Sequence, residues 1–116
     1  MAARFHIIID ISDVPDEVLI DEPGLAEFLK GFPSKIEMNV LKGPVIAAGI
    51  PENPGLSGFV LIDYSHISVH TFTETKQVLV DIFSCKEFNQ DQAVDAALEY
   101  FQVDRSHAKI QVVSWG

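Results

Sequence analysis

The chain has 116 residues, of which 47% are hydrophobic, so it is long enough for one compact core and too short for two. Its seventeen acidic residues outnumber its eight basic ones and give a formal net charge of −9. That charge repels phosphate backbones and anionic lipids, so we expect neither nucleic acid nor a membrane as a partner. The sequence predicts a single domain over residues 1–116.

Cys85 is the only cysteine in the sequence, which rules out an internal disulfide and is typical of a reducing compartment. No run of the sequence approaches the roughly 20 apolar residues of a membrane span. The first residues also lack the long apolar segment of a signal peptide. We therefore expect a cytoplasmic protein.

The first part of the chain predicts a strand and then a helix. Residues 5–11 are rich in β-branched side chains, whereas residues 12–23 are polar and interrupted by prolines, which favours a turn with a short helical piece. Pro23 suits the first turn of a helix. Apolar side chains then recur at helical spacing until a glycine and a proline end the pattern, in the order Leu25, Phe28, Leu29, Gly31 and Pro33.

The middle of the chain predicts short extended segments. Apolar and polar residues alternate over residues 36–40, and Gly43 with Pro44 is expected to end that strand before a further extended piece. Turn-forming residues are frequent at positions 51–58, which predicts a loop before a strand at residues 59–62.

The last part of the chain predicts a hairpin, a helix and a strand. Residues 67–72 and 77–83 have the composition of two strands joined by a short turn. Asn89 can cap a helix over residues 89–101, whose apolar side chains form one stripe, and residues 109–115 predict a final strand.

This order of elements predicts an α+β fold, a two-layer sandwich with a mainly antiparallel sheet and two helices on one face. The other face of the sheet must also be covered, and so short a chain has no segment left to cover it. A second copy of the chain is the simplest cover. We therefore expect a homodimer in which the two sheets face each other.

The strand that follows Tyr64 is the most informative part of the sequence. Strand alternation puts four of its side chains on one face, namely His66, Ser68, His70 and Phe72. Burying such polar groups without partners costs on the order of 1–3 kcal/mol each. These side chains are therefore solvated, satisfied by neighbours or part of a site.

The predicted hairpin also returns the only thiol to the start of this strand. If the hairpin turns midway between its two strands, Phe72 lies opposite Gln77 and His66 lies opposite Phe83. Cys85 then lies alongside the bond that precedes the histidine-rich strand.

Other interpretations of these residues remain open. A lone cysteine is most often a small core residue, and strand histidines are most often solvated or satisfied. His66 and His70 are four residues apart, about 13 Å on a strand, which is too far for one metal ion, so we expect no metal. A serine–histidine hydrolytic site is a further alternative, although the sequence has no Gly-x-Ser-x-Gly elbow.

Three motifs follow one another at fixed spacing in the middle of the chain. They are Gly-Leu-Ser-Gly at residues 55–58, Ser-His-Ile-Ser-Val-His-Thr at residues 65–71 and Asp-Ile-Phe-Ser-Cys at residues 81–85. Together they resemble, without gaps, the core of prokaryotic S-adenosylmethionine decarboxylases. The helix predicted at residues 89–101 and the strand after it also suit that family.

The resemblance implies a proenzyme that cuts itself between Tyr64 and Ser65. The products would be a β chain of residues 1–64 and an α chain of residues 65–116. Ser65 would become a covalent pyruvoyl group, an electron sink that forms a Schiff base with the amine of a small-molecule substrate. No diffusible cofactor is implied.

The same resemblance implies roles for several other residues. His70 would handle protons during processing, with help from Ser57, and Cys85 would return a proton to the substrate carbon after decarboxylation. Substrate contacts are implied for Glu74, Phe72 and His66. The product, decarboxylated S-adenosylmethionine, would supply spermidine synthesis.

Three positions depart from the pattern of that family. Tyr64 stands where close relatives often carry glutamate, Phe72 and Thr73 replace Trp-Pro, and Pro51 stands where an aromatic residue can stack on adenine. These departures leave two alternatives open. One is a pyruvoyl-dependent decarboxylase of another amino acid, such as arginine or ornithine, and the other is an unprocessed paralogue that binds a ligand or partner without catalysis.

Overall fold

A computed structural model describes residues 3–115 of the chain. The strands are β1 (Phe5–Ile11), β2 (Val40–Ile50), β3 (Asn53–Ile62), β4 (Ser65–Phe72), β5 (Gln77–Ser84) and β6 (Ala108–Val113). The helices are α1 (Asp16–Leu19), α2 (Glu22–Gly31) and α3 (Gln90–Phe101). All six strands form one sheet in the order β2-β3-β4-β5-β1-β6, with every neighbouring pair antiparallel. The predicted α+β sandwich is confirmed, with α1 as a short addition.

The hydrophobic core lies between the helices and one face of the sheet. On β1, for example, Ile7, Ile9 and Ile11 are fully buried. Helix α2 packs over β2 and β3, and α3 packs against β1. Within residues 3–115 no helix covers the opposite face, which we call the open face. Its central side chains come from four strands and are His6, Ile8, Phe59, Leu61, His66, Ser68, His70, Leu79, Asp81 and Phe83.

The hairpin of β4 and β5 has the predicted register. Phe72 pairs with Gln77 and His66 pairs with Phe83. The predicted helix cap is also confirmed, since the Asn89 side chain accepts a hydrogen bond of 3.0 Å from the backbone N–H of Gln92. The strand order places β4 in the middle of the sheet, and its register fixes which of its side chains reach the open face.

The strand predicted at residues 36–40 is wrong. A 3₁₀ turn spans Pro33–Ile36 and is followed by Glu37 in the left-handed conformation, with φ of +60°. Ile36 and Met38 are nevertheless buried, because a tight turn brings both side chains to the core. Alternating burial therefore arose here without a strand.

The predicted strand break and the predicted loop are also wrong. Strand β2 continues through Gly43, whose φ of +104° accommodates a shift in register against β3. The loop expected at residues 51–58 contains only a tight turn at Pro51 and Glu52, and β3 begins at Asn53. The glycines of this segment lie inside a strand, where they permit close packing.

Helices of the described residues are all too short or too polar to cross a membrane.

Candidate active site

The peptide bond between Tyr64 and Ser65 lies in the tight connection between β3 and β4. Ser65 is half-buried and adopts a φ of +147°. A residue other than glycine rarely adopts such a φ, and holding it there costs on the order of 1–3 kcal/mol. This strained residue directly follows the peptide bond that the family resemblance predicts to be cleaved, which we call the cleavage bond.

Cys85 lies beside this bond, as the hairpin register predicted. Its backbone N–H donates a hydrogen bond of 2.9 Å to the carbonyl oxygen of Tyr64, and its thiol is exposed. Attack by Ser65 on the Tyr64 carbonyl would place negative charge on that oxygen. A backbone N–H already aimed at it would stabilise the charge without rearrangement.

Asp63, one residue before Tyr64, is tied to the start of β2 by three hydrogen bonds. Its N–H donates to the Asn39 carbonyl, and its two carboxylate oxygens accept from the Asn39 backbone N–H and side-chain amide, each at 3.0 Å. The backbone N–H and then the side chain of Asn39 hold the pKa of Asp63 below its usual range. The segment that leads to the bond between Tyr64 and Ser65 is thus held in place by these hydrogen bonds.

Ser57 and His70 form a second polar group on the open face. They lie opposite each other on β3 and β4, and Ser57 Oγ and His70 Nδ1 are 2.8 Å apart in a hydrogen bond. Beside them is a mostly apolar hollow of about 230 Å³, lined by Val45, Ala47, Ser57, Gly58, Phe59, Ser68 and His70. A histidine fixed in this way is suited to accept or donate a proton.

These two groups are not close together within one chain. Ser65 and His70 are five residues apart on the same strand, which at about 3.3 Å per residue separates them by roughly 16 Å. Direct proton transfer needs heavy atoms about 3 Å apart. The geometry therefore brings Ser65 and Cys85 together as expected, but it does not bring His70 to them.

The remaining predicted residues lie at opposite ends of β4. His66 lies on the open face next to the cleavage bond, with its ring 5.6 Å from that of Phe83. Phe72 and Glu74 lie at the far end, where they line a hollow of about 210 Å³ with Asn53, Pro54 and Thr75. Pro51 is exposed in the turn between β2 and β3.

An aromatic cluster next to His66 was not found from the sequence. His6 contacts Phe83 edge-on at 5.3 Å and stacks with Trp115 at 6.0 Å. His6 Nε2 also donates a hydrogen bond of 2.8 Å to Asp81. Asp81 belongs to the third sequence motif and lies on β5, which pairs with β1. Its place in that motif was the only signal in the sequence that pointed to this cluster.

Two residues of the motifs have clear structural roles. The φ of Gly55 is +141°, and a Cβ atom at this position would clash with the carbonyl oxygen of Thr71. Thr71 in turn is buried, and its hydroxyl accepts from the Leu56 N–H and donates to the Leu19 carbonyl, both at 2.8 Å. These contacts hold β3 against β4 and so keep Ser57 opposite His70.

Over residues 3–115 no group of three or more histidine, cysteine, aspartate or glutamate side chains is arranged to hold a metal ion.

Comparison with known proteins identifies the family of this chain. The sequence profile of the S-adenosylmethionine decarboxylase family matches residues 5–112. An S-adenosylmethionine decarboxylase proenzyme from Pyrococcus furiosus is 30% identical over 105 residues, which cover 89% of this chain and 73% of that protein. The proenzyme from Archaeoglobus fulgidus is 32% identical over 98 residues, covering 84% of this chain and 85% of that protein.

A solved structure shares the fold. The crystal structure of the adenosylmethionine decarboxylase from Aquifex aeolicus superimposes with a TM-score of 0.80, covering 97% of this chain and 89% of that one at 24% identity. The profile match extends over nearly all of the described chain and includes all three motifs. The chain belongs to the S-adenosylmethionine decarboxylase family.

Proposed function

We propose that this protein is a pyruvoyl-dependent S-adenosylmethionine decarboxylase made as a proenzyme. Self-cleavage between Tyr64 and Ser65 yields a β chain of residues 1–64 and an α chain of residues 65–116, which together form one domain. The observation that supports this best is the convergence of three features on one peptide bond: the strained φ of Ser65, the hydrogen bond to the Tyr64 carbonyl and the exposed thiol of Cys85.

Processing begins with the hydroxyl of Ser65. Its oxygen adds to the Tyr64 carbonyl carbon, the bond from that carbon to the Ser65 nitrogen breaks, and the hydroxyl proton ends on the freed amine. The N–H of Cys85 stabilises the charge that develops on the Tyr64 oxygen. The product of this step is an ester between Tyr64 and the Ser65 side chain.

Elimination then separates the two chains. A base removes the α-proton of residue 65, the bond between its Cβ and the ester oxygen breaks, and Tyr64 leaves as a carboxylate. Water hydrolyses the resulting dehydroalanine, which releases ammonia and leaves a pyruvoyl group. We assign the base to His70, because its hydrogen bond with Ser57 fixes the orientation of its ring.

A pyruvoyl group derived from Ser65 would supply the electron sink that the loss of carbon dioxide from the substrate requires. Cys85 fits this chemistry because its backbone contacts Tyr64, the residue before Ser65, and because it is exposed, so that its thiol can return a proton to the substrate carbon. Contacts to the rest of the substrate are assigned to His66 and, from a second copy of the chain, to Phe72 and Glu74, which lie too far along β4 to reach residue 65 of their own copy. The carboxylate of Glu74 is exposed and suits a cationic sulfonium substrate, whose decarboxylated product serves spermidine synthesis.

The active unit in this proposal is a homodimer joined through the open face. Large apolar side chains on that face are partly exposed, with Val45 at 50%, Phe59 at 42% and Leu61 at 40%. Exposed apolar patches of this kind mark interaction surfaces. The partner is a second copy, because the roughly 16 Å between Ser65 and His70 leaves the site incomplete in one chain.

A two-fold axis that crosses β4 near Ser68 would complete two sites at once. It would lay the Ser65 end of one β4 over the His70 end of the other, and the same contact would repeat by symmetry. In this arrangement His70 of one copy is the base that removes the α-proton of residue 65 in the other copy. We also propose a cytoplasmic location, since the single cysteine of the chain is unpaired.

The intact mass of the purified protein under denaturing conditions tests the proposal. We expect two fragments divided between Tyr64 and Ser65, with the α chain blocked by a pyruvoyl group, and an uncleaved chain for Ser65→Ala. The processed protein should release carbon dioxide from carboxyl-labelled S-adenosylmethionine and not from arginine or ornithine. A single species near 12.8 kDa that persists on incubation would contradict the proposal and favour an unprocessed binding protein.

A further inference from the structure

Lys86 directly follows Cys85, whose backbone N–H donates to the Tyr64 carbonyl. Both the N–H and the carbonyl of Lys86 are themselves held by hydrogen bonds. The hydroxyl of Ser84, which is fully buried, donates to the Lys86 carbonyl at 2.8 Å and accepts from the Lys86 N–H at 2.9 Å. The side chain of Lys86 therefore leaves the end of β5 in a defined direction. That direction leads to the cleavage bond.

The ammonium group of Lys86 makes two contacts there. It donates a hydrogen bond of 3.0 Å to the carbonyl oxygen of Glu37 and lies 5.1 Å from the centre of the Tyr64 ring. The second distance is within the range of a cation–π interaction. Lys86 thus connects the residue before the cleavage bond to the turn that precedes β2.

The short contacts of the Lys86 ammonium group are not ion pairs. With seventeen acidic residues against eight basic ones, carboxylates are abundant, yet Lys86 forms no ion pair within 4 Å among residues 3–115. Its ammonium group contacts a neutral carbonyl and an aromatic ring instead, and at longer range its charge contributes slightly to the lowered pKa of Asp63. Tyr64 is 38% exposed, so the rest of the protein leaves part of this residue uncovered.

We propose that Lys86 is a positioning residue for self-cleavage, acting through the ring of Tyr64. By holding the ring, it keeps the Tyr64 carbonyl on the N–H of Cys85, so that the carbonyl stays oriented for attack by Ser65. This inference rests on the proposed self-processing and deepens it. It also gives a reason for an aromatic residue at position 64, since an aromatic ring is the partner that a lysine cation can hold.

The test measures the rate of fragment appearance by intact mass in Lys86→Met, Lys86→Arg and Tyr64→Leu. We expect Lys86→Met and Tyr64→Leu each to slow cleavage roughly 5- to 20-fold, and the double variant to be no slower than either one. Lys86→Arg should stay within about threefold of the wild type, because arginine also binds an aromatic face and donates hydrogen bonds. Lys30→Met, on the exposed surface of α2, is the matched control and should have no effect.

Hydroxylamine shows whether a variant is slow in forming the ester between Tyr64 and Ser65 or slow in the elimination that follows. It cleaves any accumulated ester, so it should not accelerate Lys86→Met, which is slow before the ester forms. Thermal unfolding should show Lys86→Met within a few degrees of the wild type. An unchanged cleavage rate in Lys86→Met, additive slowing in the double variant, or rapid cleavage of Lys86→Met by hydroxylamine would each overturn the inference while self-processing stands. A wild-type protein that never cleaves would overturn both proposals.

Discussion

His70 and Ser57 are joined by a hydrogen bond of 2.8 Å across β3 and β4, yet both lie far along the sheet from Ser65. The spacing of residues on a strand, about 3.3 Å each, prevents His70 from reaching Ser65 of its own chain. In a dimer the same spacing becomes an advantage, because two copies can complete each other's sites.

Complementation between two inactive variants checks this arrangement. Ser65→Ala has no nucleophile, and His70→Ala should stop at the ester, so neither should yield processed protein alone. In co-expressed mixed dimers, Ser65 of the His70→Ala copy faces an intact His70. We expect up to about half of the His70→Ala chains to be processed. If mass spectrometry finds no processed chains in isolated mixed dimers, His70 does not act across the interface.

The two contributions of Cys85 can be separated by mutation. Its backbone N–H contacts the Tyr64 carbonyl, whereas its thiol is exposed. Cys85→Ala keeps the N–H, so we expect two fragments at close to the normal rate. Carbon dioxide release should fall by about 10²- to 10⁴-fold, because the proton donor is lost. Equal losses of cleavage and of decarboxylation would show that the thiol is needed in both steps.

Gly55 and Gly58 should differ in their tolerance of a methyl group. A Cβ atom at Gly55 would meet the Thr71 carbonyl, and the φ of +141° at this position is strained for alanine. A Cβ atom at Gly58 would meet side-chain ends only, those of Ile46, Leu29 and Leu25 at 2.7, 2.8 and 3.4 Å. We expect Gly55→Ala to lower the free energy of unfolding by more than about 3 kcal/mol and Gly58→Ala by about 1–3 kcal/mol. Urea unfolding in the uncleavable Ser65→Ala background measures both. Equal losses would contradict the assignment of Gly55.

Tyr100 should make the protein sensitive to alkali. Burial, with a smaller contribution from the charge of Asp21, raises the pKa of Tyr100 to about 12. The folded chain therefore retains a proton that the unfolded chain loses above about pH 10, so this contribution to stability is complete below pH 10 and is lost as pH rises towards 12. Its hydroxyl has no hydrogen-bond partner among the described residues.

The matched variant is Tyr100→Phe, which keeps the stacking on Phe28 at 4.6 Å. Near pH 7 we expect its free energy of unfolding to be within about 1 kcal/mol of the parent. Above pH 10 it should fall less steeply than that of the parent. Urea unfolding at several pH values, again in the Ser65→Ala background, gives the comparison. Identical slopes above pH 10 would exclude Tyr100 as the responsible group.

Local patterns in the sequence were sufficient to predict the hairpin of β4 and β5. Its strands alternate clearly and its turn is short, so the register followed from the turn position and placed Cys85 beside Tyr64. The same reasoning failed for β3, because Gly55 and Gly58 are typical of loops when read locally. Glycine is required at these two positions because Thr71 and Leu29 come close to them, and both of those residues belong to distant parts of the chain.

The candidate site was predictable only where its contacts are local. Ser65, Cys85 and the histidines of β4 are identified by motifs at fixed spacing. Lys86 and Asn39 are not identified in this way. Their roles depend on the packing of the end of β5 and the start of β2 against the connection that precedes Ser65. His6 is a similar case, because it reaches Asp81 only after β1 inserts beside β5.

If the chain is cut between Tyr64 and Ser65 as proposed, the strand order has a consequence for the mature protein. Strands β1, β2 and β3 precede the proposed cleavage bond and β4, β5 and β6 follow it, yet β1 lies between β5 and β6 in the sheet. The two pieces are therefore interleaved, and neither has a complete sheet of its own. The uncut chain can fold as a single molecule, whereas the mature enzyme, once unfolded, must find its other half in solution. Self-cleavage thus converts a protein that refolds by itself into one whose recovery depends on concentration, and its native state then persists mainly because unfolding is slow.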